Sequence, residues 1–135
     1  MRVADLEGNT SEWKLKGSIV TIDKRSRSKG HIDARKLLQE IFPTSTILEE
    51  VSIRIHPRTV LHLDFYLPLY KMAVEVHGEQ HFKFTPHFHR DIMSFCHSKR
   101  NDMEKVEWCE LNNITLTALV YNEDENEWRR KLQSE

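Results

Sequence analysis

The sequence contains little cysteine, glycine or proline: two, four and four residues in a chain of 135. The two cysteines, Cys96 and Cys109, lie in one predicted helix, so we expect no disulfide between them and a reducing, cytoplasmic location. The few glycines and prolines leave little room for flexible linkers, and the sequence shows no internal repeat. The length fits one domain, and 39% hydrophobic residues suffice for a single core.

Long hydrophobic runs and a large net charge are also absent. No stretch approaches the roughly 20 apolar residues of a membrane span, and the acidic start MRVADLEGNT does not fit a signal peptide. The formal charge of −1 argues against a protein that coats nucleic acid through bulk basicity, although a local basic patch remains possible. Histidine, by contrast, is abundant: five of the eight lie between His77 and His97.

The hydrophobic pattern predicts a strand, a helix, three strands, a helix, a strand and a helix. Predicted strands cover 18–23, 47–55, 59–67, 71–77 and 114–121, and predicted helices cover 31–42, about 90–111 and 123–133. We therefore expect one α/β domain in which helices flank a central mixed β-sheet. It comprises an N-terminal strand and basic arm (1–27), a core (28–121) and a C-terminal helix (122–135).

Two side-chain patterns within these elements predict which residues point toward the core. In strand 59–67 the apolar side chains should share one face, opposite His62, Asp64 and Tyr66; they are Leu61, Leu63, Phe65 and Leu67. On the long helix one apolar stripe is expected to face the core; it consists of Ile92, Phe95, Met103 and Val106. We expect the three tryptophans to pack in the core or at its edge.

Two carboxylates interrupt strands that are otherwise apolar. Asp64 lies within LHLDFYL and Glu75 within MAVEV, although aspartate is a poor strand former. An antiparallel hairpin between these strands would place Asp64, Glu75 and His77 on one surface, with the carboxylates about 5 Å apart. Such a pair repels unless a cation lies between its members, and Mg²⁺ prefers oxygen ligands of this kind. The alternative is a merely solvated polar face.

The string LDFYLP, followed after a linker by AVEVHGEQHF, resembles the metal-binding signature of the PD-(D/E)XK, or restriction-endonuclease-like, nuclease superfamily. Within it the chain is most similar to the branch of very-short-patch repair endonucleases and EDxHD phage homing endonucleases. The likeness covers about 28–121. It implies a restriction-endonuclease-like fold and a Mg²⁺- or Mn²⁺-dependent DNA endonuclease of homing or site-specific type, and it leaves open a phage origin in a bacterial host.

The resemblance also implies roles for individual residues. Asp64 and Glu75 would be metal ligands, and the backbone carbonyl of Val76 would complete the metal shell. His77 holds the place where many members carry lysine, which leaves the general base open. His81 resembles the histidine of the repair branch, and either histidine could transfer protons near neutral pH.

The EDxHD pattern further requires an upstream glutamate and a late acid. Related sequences often place the glutamate in the first helix, where this chain has Ser-Lys-Gly-His31. The pair Glu49 and Glu50 is therefore favoured over Glu40. For the late acid, Asp102 is favoured over Asp91.

Basic side chains that would grip a DNA backbone cluster in the segment 24–36 and on the long helix. They are Lys24, Arg25, Arg27, Lys29, His31, Arg35, Lys99 and Lys105. The alternative for this set is a solvated surface whose charges pair with neighbouring acids. A homodimer would allow so small a chain to read two half-sites.

Other functions stay open at this point. A structure-selective junction nuclease would use the same site, and a non-catalytic nucleic-acid-binding module would keep only the fold. A zinc-binding interaction protein is a third class, because His77 and His81 could recruit His87, His89 or Cys96. The irregular spacing of these residues argues against zinc.

Overall fold

The computed structural model describes residues 1–15, 18–19, 28–84 and 89–133. The strands are β1 (Arg2–Ala4), β2 (Thr10–Glu12), β3 (Ser18–Ile19), β4 (Leu48–His56), β5 (Thr59–Leu67), β6 (Met72–His77) and β7 (Thr115–Val120). The helices are α1 (Lys29–Ile41), α2 (Ile92–Leu111) and α3 (Glu125–Gln133). Short 3₁₀ turns cover Pro68–Tyr70 and Glu79–His81.

One sheet contains five strands in the order β3-β4-β5-β6-β7. The first four are antiparallel neighbours and β7 runs parallel to β6. The predicted mixed sheet, the β5–β6 hairpin and the α/β class are therefore confirmed. The hairpin of β1 and β2 was not predicted, and of the predicted strand 18–23 only Ser18–Ile19 falls within the described residues.

Two apolar clusters place the helices on opposite faces of the sheet. The first joins α1 and α3 to the sheet through residues such as Leu38, Phe65 and Trp128. The second joins α2 and the N-terminal hairpin to it through residues such as Trp13, Tyr66 and Trp108. The expected packing of all three tryptophans is confirmed. Among the described residues, no helix combines the length and hydrophobicity that a membrane span requires.

Helix ends follow local sequence signals. The Ser28 hydroxyl accepts a hydrogen bond from the backbone N–H of His31 at the start of α1, and the Asp91 carboxylate caps α2 through Ser94. After α2, Asn113 adopts a left-handed conformation with φ of +58°, which is common just beyond a helix C-terminus. Gly30 lets α1 approach β6, because a Cβ there would lie 3.2 Å from Cγ1 of Val76.

The predicted apolar stripe of α2 is wrong. Ile92 and Met103 are 59% and 64% exposed, and the buried residues of this helix are Trp108 and Cys109. The middle of α2 instead directs Lys105 toward Glu75. Polar groups of the sheet thus decide which side of α2 faces inward there.

The predicted alternation of β5 breaks at Asp64. Phe65 packs in the cluster beneath α1 and α3, whereas Leu63 packs with Tyr66 in the opposite cluster. Glu50 lies between the paired positions Glu49↔Phe65 and Val51↔Leu63, and so opposite Asp64. Its φ of +52° is uncommon for a residue with a side chain. In both strands the alternation of side chains between the two sides of the sheet therefore shifts by one residue at this level, next to the candidate site.

Candidate functional site

β5 and β6 part at the level of the two predicted metal ligands. Their ladder ends at the pair Phe65↔Val74. Beyond it, Oε2 of Glu75 accepts the backbone N–H of Asp64 at 2.7 Å, and Oδ2 of Asp64 accepts the backbone N–H of Val76 at 2.8 Å. Side chains thus replace the ladder hydrogen bonds, and the two carboxylates lie together where the strands diverge.

Glu75 is the buried member of this pair, at 2% exposure. Burial, and after it the charge of Asp64, raise its pKa to about 7 even though Lys105 acts in the opposite direction. Nζ of Lys105 lies 2.7 Å from Oε1 of Glu75. Burial, together with the charge of Glu75, raises the pKa of the neighbouring Cys109 thiol to about 12. The site therefore holds excess negative charge that one lysine offsets.

A histidine–aspartate dyad lies beside the carboxylates. Nδ1 of His81 and Oδ2 of Asp102 are 2.9 Å apart, and the ring of His77 stacks on that of His81 with centroids 4.4 Å apart. Nζ of Lys99 donates to the backbone carbonyl of His81 at 2.8 Å. The dyad is thus held from the turn after β6 and from α2.

Burial and then the neighbouring His81 lower the pKa of His77. Burial acts to raise the pKa of Asp102, but the hydrogen bond from His81 and the charges around it outweigh burial and lower that pKa. The arrangement therefore favours a neutral His77 and an ionised Asp102 near neutral pH.

Asp64 and the His81–Asp102 dyad face a cleft of about 500 Å³ between β5 and α2. Its polar lining includes Glu50, His62, Asp64, His81, Asp102 and Lys105. A smaller hollow of about 130 Å³ adjoins it at Glu75 and His77. The structure thus brings together Asp64, Glu75, His77, His81 and Asp102 from the predicted set.

The two upstream glutamates lie in different places. Glu50 lines the cleft, whereas Glu49 is buried against α1. Oε1 of Glu49 lies 2.8 Å from Nε2 of His31 and accepts hydrogen bonds from Nε and Nη2 of Arg35 at 3.0 and 2.8 Å. Glu49 therefore does not fit a role at the metal, and His31 and Arg35 do not fit the phosphate contacts expected of them. Between the two glutamates, the geometry favours Glu50.

The other expected phosphate contacts divide into three groups. Lys29 is exposed and pairs with Asp33 at 3.4 Å. Lys99 and Lys105 hold parts of the site. Lys24, Arg25 and Arg27 lie outside the described residues.

The contact between Lys105 and Glu75 is a feature that sequence reasoning missed. A signal for it existed, because Lys105 follows Asp102 by three positions and so shares its helix face.

Of the zinc ligands considered from the sequence, the described residues His89 and Cys96 do not join His77 and His81. Among the described residues, the group with metal-ligand spacing is His77, His81 and Asp102. His89 is buried and packs against the rings of Phe84 and Phe95. Cys96 is exposed, and His87 lies outside the described residues.

Comparison with known proteins finds viral relatives without an assigned function. The chain is 41% identical over 61 residues to uncharacterized protein 307L of Invertebrate iridescent virus 6, which covers 45% of this chain and 31% of the relative. It is 26% identical over 100 residues to uncharacterized protein 033L of Invertebrate iridescent virus 3, which covers 73% of this chain and 52% of the relative. The chain therefore spans about half or less of these curated relatives. No family model matches it, and no solved structure matches it significantly.

Proposed function

We propose that this chain is a metal-dependent DNA endonuclease with a restriction-endonuclease-like fold. The observation that carries the proposal is the parting of β5 and β6, where Asp64 and Glu75 replace the ladder at the edge of an open cleft. A phosphodiester requires both charge neutralisation and an activated water. Asp64 lines this cleft together with the His81–Asp102 dyad, and Glu75 lines the adjoining hollow, which supports a shared role in those tasks.

The donor set fits Mg²⁺ or Mn²⁺. Both carboxylates offer hard oxygen ligands, and Oδ1 of Asp64 has no hydrogen-bond partner among the described residues. Val76 directs its N–H to Asp64, so its carbonyl leaves the strand at the same edge, since both groups of a strand residue point toward one neighbour. Asp64, Glu75 and the Val76 carbonyl would hold the ion. When bound, the ion supplies positive charge to the phosphate and lowers the pKa of water.

His81 is the residue placed to move a proton. A carboxylate only accepts hydrogen bonds, so the hydrogen bond to Asp102 holds a proton of the His81 ring on Nδ1. This leaves Nε2 to take a proton from the attacking water. His77 stacks on His81 and limits the rotation of its ring. Asp102 therefore acts as a positioning residue, in the manner of an aspartate that orients a general base.

Cleavage of supercoiled plasmid DNA with Mg²⁺ or Mn²⁺ tests the proposal. Asp64→Asn and Glu75→Gln are the informative variants, because the remaining amide oxygen can still accept the backbone N–H that holds the strands. We expect each variant to lose at least about 100-fold in rate, as for removal of a group that stabilises transition-state charge. Glu110→Gln, at an exposed position of α2, is the matched control and should cleave normally.

Robust cleavage by both site variants would refute the assignment. An inactive wild-type chain that binds DNA but not Mn²⁺ would instead identify a non-catalytic binding module. Preference for four-way junctions over linear duplex would favour the junction-selective alternative. The polymer specificity, the homodimer and the phage origin stay predictions; the two relatives carry the names of viruses of invertebrates.

A further inference from the structure

We infer that His77, His81 and Asp102 form a transition-metal site, selective for Zn²⁺-type ions over Mg²⁺ and separate from the Asp64–Glu75 pair. One ligand atom from each of the three side chains lies within 4.8 Å of the other two. No other group of three such ligands occurs among the residues that the structure describes. This inference concerns metal binding itself and does not depend on nuclease activity.

The spacing of the ligand atoms is close to that of a real site. Zinc bonds of about 2.0–2.1 Å set tetrahedral ligand atoms about 3.3 Å apart. The hydrogen-bonded atoms of His81 and Asp102 lie 2.9 Å apart, so an ion that binds both must displace the Nδ1 proton and open this contact by only about 0.4 Å. The rings of His77 and His81 are stacked at 12°, so they have to turn their in-plane lone pairs toward one ion, starting from ligand atoms that lie within 4.8 Å of one another.

The chemistry of the ligands sets the selectivity. Two imidazoles and one carboxylate suit Zn²⁺, Co²⁺ or Fe²⁺, whereas Mg²⁺ prefers all-oxygen shells. Three protein ligands leave a coordination position open, as in catalytic rather than structural zinc sites. The three side chains are partly exposed, and His81 and Asp102 line the large cleft. An ion can therefore enter from solvent.

The supporting backbone is fixed before an ion arrives. His77 ends β6, His81 ends the turn Glu79–His81, and Asp102 lies within α2. Lys99 ties the carbonyl of His81 to α2. Binding therefore requires little reordering of the chain, which lowers its entropic cost.

Titration of the metal-free chain with Co²⁺, followed by visible absorption and then displacement by Zn²⁺, tests the site. We expect the wild type to bind one Co²⁺ per chain. Loss of an outer-shell partner lowers metal affinity roughly 10–100-fold, and we expect a larger loss of Co²⁺ affinity in His77→Gln, His81→Gln and Asp102→Asn. His97→Gln, an exposed histidine of α2, and Asp64→Asn should bind as the wild type does. Circular dichroism confirms that each variant is folded.

Three results would overturn the inference. They are absence of Co²⁺ binding by the folded wild type, unchanged binding by His77→Gln and His81→Gln, and loss of binding in Asp64→Asn alone. The last result would place the ion at the carboxylate pair. None of these outcomes bears on plasmid cleavage, so failure of this site and failure of the proposed function can be told apart.

Discussion

The metal-free protein should lose stability as the pH rises from about 5 to 7.5, because Glu75 must then ionise in the interior. Its pKa is about 7 in the folded chain, against an ordinary value of 4.5 for glutamate. The folded state therefore binds this proton more tightly than the unfolded state, and stability falls through this pH range. At about 1.4 kcal/mol per pH unit, the full effect is about 3 kcal/mol.

Urea unfolding in EDTA at a series of pH values measures this effect. The neutral variant Glu75→Gln lacks the titration, so the free energy of unfolding of the wild type should fall relative to this variant by about 3 kcal/mol between pH 4.5 and 7.5. Glu110→Gln removes an exposed acid and should keep the wild-type profile. A constant difference between wild type and Glu75→Gln across the series would refute the reasoning, since it would mean that burial does not perturb this carboxyl.

Three further predictions follow from the same contacts. Lys105→Met leaves Glu75 buried without its cation, so we expect about 3 kcal/mol lower unfolding free energy at pH 8.5 and a smaller loss at pH 5; equal losses at both pH values would contradict this account. Arg35→Met deprives the buried Glu49 of its guanidinium and should also cost about 3 kcal/mol in urea unfolding, with exposed Lys36→Met as the control. Zn²⁺ should slow Mg²⁺-dependent plasmid cleavage because it binds His81, and a chelator selective for Zn²⁺ should restore the rate; undiminished cleavage at saturating Zn²⁺ would exclude this competition.

Strand periodicity made the carboxylates predictable. An alternation of two residues fixes the face of each side chain once one position is known, so Glu75 and His77 could be placed together from the sequence. The short link between the two strands allows few registers, so the predicted hairpin also placed Asp64 next to Glu75 and His77. The positive φ of Glu50 could not be foreseen in the same way, because glutamate carries no signal for a left-handed conformation.

The orientation of α2 was harder to predict. Its apolar residues do not form one clear stripe, so periodicity alone favoured a face that the structure leaves exposed. The inward face is set instead by partners far away in sequence: Lys105 pairs with Glu75 and Asp102 with His81. Such pairs depend on the docking of helix on sheet, which a local pattern does not contain. Likewise, the positive charge of Arg35 suggested an exposed side chain, whereas this residue is buried and pairs with the buried Glu49.

The carboxylate oxygens at the parting strands already accept hydrogen bonds before an ion binds. Oδ2 of Asp64 and Oε2 of Glu75 hold the two strands together, and Oε1 of Glu75 holds Lys105. Each oxygen keeps a second lone pair, so an ion can bind without separating the strands. Such an ion would add to the effect of Lys105 and favour the ionised form of Glu75 over the whole pH range. In saturating Mg²⁺ the loss of stability between pH 5 and 7.5 should therefore disappear. An ion held only by His77, His81 and Asp102 would not bind Glu75 directly, so the stability should then still fall over this pH range.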